Sequence, residues 1–500
     1  MNESGSKKLN KPTGLSGAPA QQGAGAHHGA ESGSGAATLP GAARHGAATR
    51  HMLDFTTGSI PRHILVFSWP MFVGNLLQAM YNTVDSFWVG RYLGPAALGA
   101  VSVSFPIIFA LVAVIIGLTM ATTTMVAQYR GAGDDAQVKR TVANSLTAIT
   151  ALGLVSTVVG IALRTRILSW IQTPPEILEP AALYLGTFLV GLVPMFLFNL
   201  FASILRGLGD SRSPLRYLAF ATILNIVLDP IMIFGVGPVP AMGIRGVAWA
   251  TVISQTLATV LLFVQMTRHT DLLPKSRDSW RVDGRLIVRM FRIGIPAGLQ
   301  SIIVSFSMII LAAIVNGFGP AVVAAFGAAA RLDQFAFMPA LTVSFAVTAL
   351  VGQNLGAGKK ERVKEIVLWS VVLTGLITAV VTAIVIVAPA PLLRVFTGDP
   401  TVLQEGAAYL RIVGLSYVPL AVMFTITGVL RGAGDTVTSM IISFVTLWLV
   451  RLPLATFLAS GMGINGVWTS ITVSTALGAI LNYAYYLTGR WKKFVIIGRP

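Results

Sequence analysis

The chain has 500 residues, 54% of them apolar and 11% charged, with a formal net charge of +17 and a mean hydropathy of +0.75. A soluble domain carries about a quarter charged residues, so the composition excludes an ordinary water-soluble fold and fits helices that face lipid. With no cysteine, disulfides, thiolate chemistry and cysteine-ligated metals are excluded too.

In chain order, residues 1–60 come first and read as a disordered tail. Up to residue 52 they are rich in Gly, Ala, Ser and His, and stretches such as Gln22–His28 cannot build a core. The tail has no apolar h-region, so no cleavable signal peptide is expected and the first helix is its own insertion signal. Six spans then fit an N-terminal lobe over 61–267, at about 63–91, 97–127, 139–163, 181–205, 214–235 and 243–267. A charged linker is expected at 268–287. Six more spans fit a C-terminal lobe over 288–490, at about 288–316, 321–353, 363–387, 403–430, 436–459 and 464–488, followed by a tail at 491–500. The expected fold class is therefore an all-α integral membrane protein, with twelve transmembrane helices in two six-helix repeat bundles around a central cavity.

Lys and Arg placement sets the orientation. With the N-terminus inside, 28 of the 36 basic residues lie in the tails, the central linker and the loops after the even-numbered spans. Both termini are thus expected in the cytoplasm. The same asymmetry explains the basic charge without nucleic acid, which is not expected as a partner.

The chain repeats itself. Val126–Gly133 recurs as Val351–Gly358, and Leu205–Asp210 recurs as Leu430–Asp435, both at an offset of 225. Leu93-Gly-Pro95 recurs near Phe318-Gly-Pro320 at the same offset, and Met242–Val247 matches Met462–Val467 at 220. Two parallel halves of this kind suit rocking about a shared axis around a cavity.

Three acidic residues lie inside long apolar segments: Asp85, Asp229 and Asp333. A carboxylate in hydrocarbon costs several kcal/mol unless paired, hydrated or neutralised, so each is a functional candidate. In the first span Gln78, Tyr81, Asn82 and Asp85 fall three and four apart on one helical stripe. Such a stripe faces either a cavity or a hydrogen-bonded neighbouring helix. Pro70, fifteen residues before Asp85, can kink that helix, as a switch or as a static bend. In the fifth span Asn225 and Asp229 share a face just before Pro230, whose ring can free a carbonyl near residue 226. These groups make either an oxygen-rich cation site or a kinked helix end. Tyr81, Phe198 and Met232 are read as lining an adaptable cavity or as ordinary packing. Positions two apart do not face each other on a helix, so Asp333 and Arg331 are expected to have other partners and are read as members of a structural ion pair between spans.

The halves are unequal here. The offset of 225 carries Asp85 to Ile310, and matching Pro230 with Pro453 carries Asp229 to Leu452. Cation chemistry is therefore assigned to the N-terminal half, with Gln300, Ser301, Ser305 and Asn316 as the polar residues of the other. Gly131-Ala-Gly133 and Gly356-Ala-Gly-Lys359 lack the spacing and the Lys-Ser/Thr pair of a phosphate loop. No ATPase motif, catalytic set or metal cluster appears, so transport is expected to draw on a gradient and the protein is not expected to be an enzyme.

Tyr81–Gly90, Val351–Gly358, Leu205–Asp210 and Asn225–Gly235 together resemble the MATE family, the multidrug and toxic compound extrusion transporters, over about residues 60–490. The resemblance implies secondary antiport in which a small cationic amphipathic compound leaves as H⁺ or Na⁺ enters, without a cofactor. It implies that Asp85, Asn225 and Asp229 form the N-lobe cation site of the DinF-like prokaryotic branch, with Thr251 as the matching hydroxyl of the sixth span. It also matches Pro70 to a proline that bends on protonation. Another branch uses acidic residues in spans 7 and 10, which this sequence lacks. A monomer in the cytoplasmic membrane, in contact with lipid, is expected. The alternative is a lipid-linked oligosaccharide flippase of the same superfamily, with Arg331, Arg411 and Arg451 as cavity cations for a pyrophosphate.

Overall fold

The computed structural model describes residues 52–269 and 280–497. The expected disorder of residues 1–51, the middle of the linker and the last three residues lie outside that range. Among the described residues every regular element is helical.

Helix α1 (Ile60–Trp88) runs through a π-helical turn, Val89–Leu93, into α2 (Gly94–Gly131). The stretch has 72 residues. As one straight helix it would reach roughly 108 Å, against a hydrocarbon core of about 30 Å. It breaks at Gly94, with φ 82 and ψ 178. Gly319, with φ 97 and ψ 170, does the same before Pro320. The repeated Gly-Pro is therefore a corner: glycine alone takes this backbone region readily, and proline fits the first turn of the next helix.

The N-terminal half continues with α3 (Asp135–Trp170), α4 (Pro175–Val190), α5 (Leu192–Gly207), α6 (Arg212–Phe234) and α7 (Ile244–His269). The C-terminal half has α8 (Gly284–Asn316), α9 (Pro320–Gly356), α10 (Lys360–Val387), short α11 (Pro389–Leu393), α12 (Pro400–Val413), α13 (Tyr417–Ala433), α14 (Thr436–Phe444), α15 (Leu452–Met462) and α16 (Ile464–Leu487). Helices α12 and α13 form one crossing, as do α14, the π-helical Val445–Arg451 and α15. Helices α4 and α5 meet at 46° and form another. With α1 and α2 counted separately, twelve crossings result among the described residues, in the expected two lobes.

The repeated motifs have structural tasks. Gln128 Nε2 donates to Gly432 O at 2.8 Å, and Gln353 Nε2 donates to Gly207 O at 2.9 Å. Each glutamine thus bonds to the opposite half, at positions related by the same repeat offset. Gly131 and Gly356 let these ends meet: a Cβ on Gly131 would lie 1.9 Å from Gln353 O, and one on Gly356 2.0 Å from Gln128 O. Gly133 and Gly358, both at φ +72, end their helices in the left-handed region. In the second motif, Gly209 (φ +92) and Gly434 (φ +95) make the turn. Asp210 and Asp435 then cap the following helices, Asp210 Oδ1 accepting from Ser213 N at 3.0 Å and Asp435 Oδ1 from Thr438 N at 3.3 Å. Asp210→Ala is expected to cost about 1 kcal/mol, read as a lowered apparent melting temperature of the purified protein.

Two segments assigned to tails are packed. Phe55 is 1% exposed and its N–H donates to Gln353 Oε1 at 3.2 Å. Trp491 is buried, and Ile496 N–H donates to Gln128 Oε1 at 2.7 Å. Both glutamine amides are therefore held on two sides, and residues 53–58 and 490–497 belong to the joined end of the lobes. Their few apolar residues are too short a run to announce a core, which is why composition alone assigns them to tails. Gln353→Leu strands the buried Phe55 N–H and removes the bond to Gly207. It is expected to loosen this end by about 1–3 kcal/mol, seen as faster amide exchange of residues 53–58.

Candidate functional site

Helices α1, α6 and α7 bring the N-lobe polar groups together. Asn225 and Asp229 are fully buried, four residues apart on α6, and Asn225 Nδ2 donates to Asp229 Oδ1 at 3.2 Å. Helix α6 continues through Pro230 to Phe234, so Asp229 lies inside the helix rather than at its end. Thr251 Oγ1, on α7, donates to Asp85 Oδ2 at 3.5 Å. The carboxyls of Asp85 and Asp229 lie within hydrogen-bonding reach of each other, and Asp85 is also beside Asn225. A hydrogen bond between two carboxyl groups requires a proton on one of them, and two bare carboxylates so close require a cation between them. Tyr81 OH, Asp85 Oδ1, Asn225 Oδ1 and Asp229 Oδ2 are buried without a hydrogen-bond partner. Such orphaned oxygens are costly unless something else fills the site, and they can accept either a proton or a hard monovalent cation.

Sequence reasoning missed Tyr184. It stands half-buried on α4, within electrostatic range of Asp85, Asp229 and Tyr81. Its one signal is a phenol in a mostly apolar span that also holds Thr187, Asn199 and Ser203, and nothing in the sequence pairs it with Asp85 or Asp229, 99 and 45 positions away.

A separate cavity of about 730 Å³ lies against the C-terminal helices and the face of α1. Gln78 and Asn82 line it. Tyr81, Phe198 and Met232 do not line this cavity. Tyr81 is 6% exposed, one turn before Asp85 on α1, Phe198 is 7% exposed in the N-lobe core, and half-buried Met232 packs where its carbonyl accepts from Met242 N. On a helix, neighbours at three and four residues share a face only broadly, and packing decides which edge of the stripe reaches open space. Pro70 is buried inside a continuous α1, and Asn75 Nδ2, on the same helix, donates to Thr342 Oγ1 of α9 at 3.0 Å.

The expectation that Asp333 and Arg331 are members of a structural ion pair between spans is corrected. Asp333 is 6% exposed and accepts from the Tyr409 hydroxyl on Oδ2 and the Tyr417 hydroxyl on Oδ1. Arg331 is exposed, with its guanidinium 5.9 Å from the Phe396 ring centroid. Tyrosine donors satisfy the carboxylate without a second buried charge, which avoids a further desolvation cost. Of the arginines considered for a pyrophosphate, Arg331 and Arg411 are exposed and only Arg451 lines the cavity. Among the described residues no group of three or more His, Cys, Asp and Glu is arranged to hold a metal ion.

The family model described as MatE matches residues 70–231 and 296–457, one match in each half. The probable multidrug resistance protein YpnP of Bacillus subtilis is 32% identical over 88% of this chain and 97% of its own length. The probable multidrug resistance protein NorM of Thermotoga maritima is 29% identical over 88% and 95%. A solved structure described as the outward-facing conformation of a multidrug resistance MATE family transporter has a TM-score of 0.80 at 24% identity, covering 88% of this chain and 98% of that one.

Proposed function

Because the chain belongs to the MatE family, and is therefore a multi-pass membrane transporter rather than an enzyme, we propose that it exports small cationic amphipathic compounds in exchange for H⁺ or Na⁺. Support comes first from one observation: Asp85 and Asp229 converge beside Asn225 and Thr251, with buried oxygens left unpartnered. The multidrug resistance names of the relatives agree with a broad small-molecule range. No cofactor is needed, because the ion gradient supplies the work.

In this reading the lobes alternate between two faces around the cavity. The end joined by Gln128 and Gln353 is the Lys- and Arg-rich end, hence the cytoplasmic one, and the described arrangement faces outward. A proton or Na⁺ arriving from outside occupies the Asp85–Asp229 pair and neutralises it. That removes the electrostatic hold on a cationic substrate, which leaves, and release of the ion inside resets the pair. The membrane potential contributes about 2.3 kcal/mol per charge per 100 mV, enough to drive electrogenic exchange uphill. Pro70 gives α1 a second shape, so that occupancy of Asp85 is felt along the helix. The chain acts as a monomer in the cytoplasmic membrane with both termini inside.

The test is reconstitution in liposomes with a cationic fluorescent dye. An imposed pH or Na⁺ gradient is expected to drive dye movement opposite to the ion, and clamping both gradients to zero is expected to stop it. Equal dye movement with and without either gradient would sink the antiport reading.

A further inference from the structure

The C-lobe cavity carries charge that the proposed ion site does not use. Asp333 and Arg451 both line it, each 6% exposed, as does half-buried Arg431, whose Nη2 donates to Gln300 Oε1 at 2.9 Å. Asp333 and Arg451 are each held by neutral hydroxyls alone. Asp333 accepts from Tyr409 and Tyr417. Arg451 donates from Nε to Ser474 Oγ at 2.8 Å and from Nη2 to Thr475 Oγ1 at 3.0 Å. Among the described residues neither has an ion pair within 4.0 Å. Hydroxyl dipoles fix the direction of a buried charge without cancelling it, so each group remains open to an incoming opposite charge.

The surroundings of the two groups differ. Around Asp333 stands an aromatic wall: Phe326 stacks on Trp468 at 5.6 Å, Tyr409 meets Trp468 edge-on at 4.7 Å, and Phe337 meets Tyr417 edge-on at 5.5 Å. A carboxylate backed by aromatic rings recognises an alkylated ammonium by charge and by cation–π contact. Arg451 stands among hydroxyls, a guanidinium fork suited to a carboxylate or sulfonate. Between them the lining is mostly apolar and flexible, with Met308, Met423 and Phe424, which suits an adaptable aromatic body.

The geometry points to a two-pole substrate site in the C-terminal lobe, taking zwitterionic amphipaths with the ammonium at Asp333 and the anionic group at Arg451. This rests on the export reading only in that the cavity is where substrate sits. It extends that reading from cations to molecules bearing both charges, and it places substrate recognition and ion coupling in different lobes.

The experiment measures equilibrium binding to the purified full chain in nanodiscs, with no gradient. The probes are a cationic rhodamine methyl ester and its free acid, which is zwitterionic at neutral pH. Wild type is expected to bind the zwitterion about tenfold more tightly. Arg451→Gln is expected to erase that preference, and Asp333→Asn to weaken both dyes about tenfold. Arg451→Lys, which keeps the charge but loses the fork, is expected to retain part of the preference. Equal affinity of the two dyes for wild type overturns the proposal without any variant. A preference that survives Arg451→Gln in a folded protein overturns it as well. Because no gradient is present, loss of coupling in Asp85 or Asp229 variants leaves this test intact, so the two readings fail separately.

Discussion

Asp85→Asn and Asp229→Asn are each expected to bring gradient-driven dye transport down to the level of protein-free liposomes, while the protein keeps its fold. The exchange needs a site that changes charge when an ion binds. Two carboxyls within hydrogen-bonding reach provide that change, because they can hold a proton or a cation in one state and repel each other in the next. An amide is the same shape, but it neither ionises nor carries the charge that draws in Na⁺. Asn at position 229 can still accept from Asn225 Nδ2 on its carbonyl oxygen, in place of the 3.2 Å bond to Asp229. The packing of α6 should therefore survive. Melting temperature should shift little in both variants, equilibrium binding of the cationic dye should weaken as the pair loses charge, and the response to an imposed gradient should vanish. If both variants transport at the wild-type rate, coupling does not run through this pair. The same preparation distinguishes the ions: proton coupling predicts transport in Na⁺-free buffer under a pH gradient alone, and sodium coupling predicts none.

Gly131→Ala is expected to open the joined end of the lobes. The new Cβ would lie 1.9 Å from Gln353 O, a backbone atom that cannot swing aside. Relieving such an overlap in a packed interior costs about 1–3 kcal/mol, which shifts a two-state balance roughly 5- to 150-fold. Gly356→Ala should act alike, since its Cβ would lie 2.0 Å from Gln128 O. Gly133→Ala is the control. Its φ of +72 makes alanine strained, but nothing lies within 4 Å of the added carbon, so it should cost about 1–2 kcal/mol of helix-end strain without parting the lobes. The chain has no native cysteine, so a single Thr124→Cys is a clean reporter. Thr124 is buried at the junction, its Oγ1 donating to Arg431 O at 2.9 Å. Faster labelling of that thiol by a membrane-impermeant maleimide is expected with Gly131→Ala and Gly356→Ala, but not with Gly133→Ala. Labelling at the unaltered rate in all of them would mean that these glycines do not hold the end closed.

Much of the architecture was legible. The spans and the duplication, with its recurring Gly-Pro pairs, follow from hydropathy and from the repeat, whereas the corners at Gly94 and Gly319 came with the structure. The N-lobe cluster was legible in part. Asn225 and Asp229 are a local pair on one helix, and helical periodicity is enough to join them. Joining Asp85 to them, and Thr251 to Asp85, required likeness to a family, because those contacts span 144 and 166 residues of chain. Tyr184 escaped both routes. Asp333 was read as half of an ion pair between spans because a buried acid commonly takes a charged partner, whereas its partners are two tyrosine hydroxyls 76 and 84 residues away.

What this sequence determined by itself was the number of crossings, the twofold repeat and the residues that must not face lipid. Those depend on the free energy of moving single side chains between water and hydrocarbon, which is a property of each residue. Only the tertiary structure decided which edge of the Gln78–Asp85 stripe meets the cavity and which meets Asp229. It also decided why the glutamines and glycines recur at one offset, and that Asp333 and Arg451 share one cavity without sharing a bond. Those outcomes depend on how helices close against one another at ångström range, where a missing Cβ or a single hydroxyl sets the geometry.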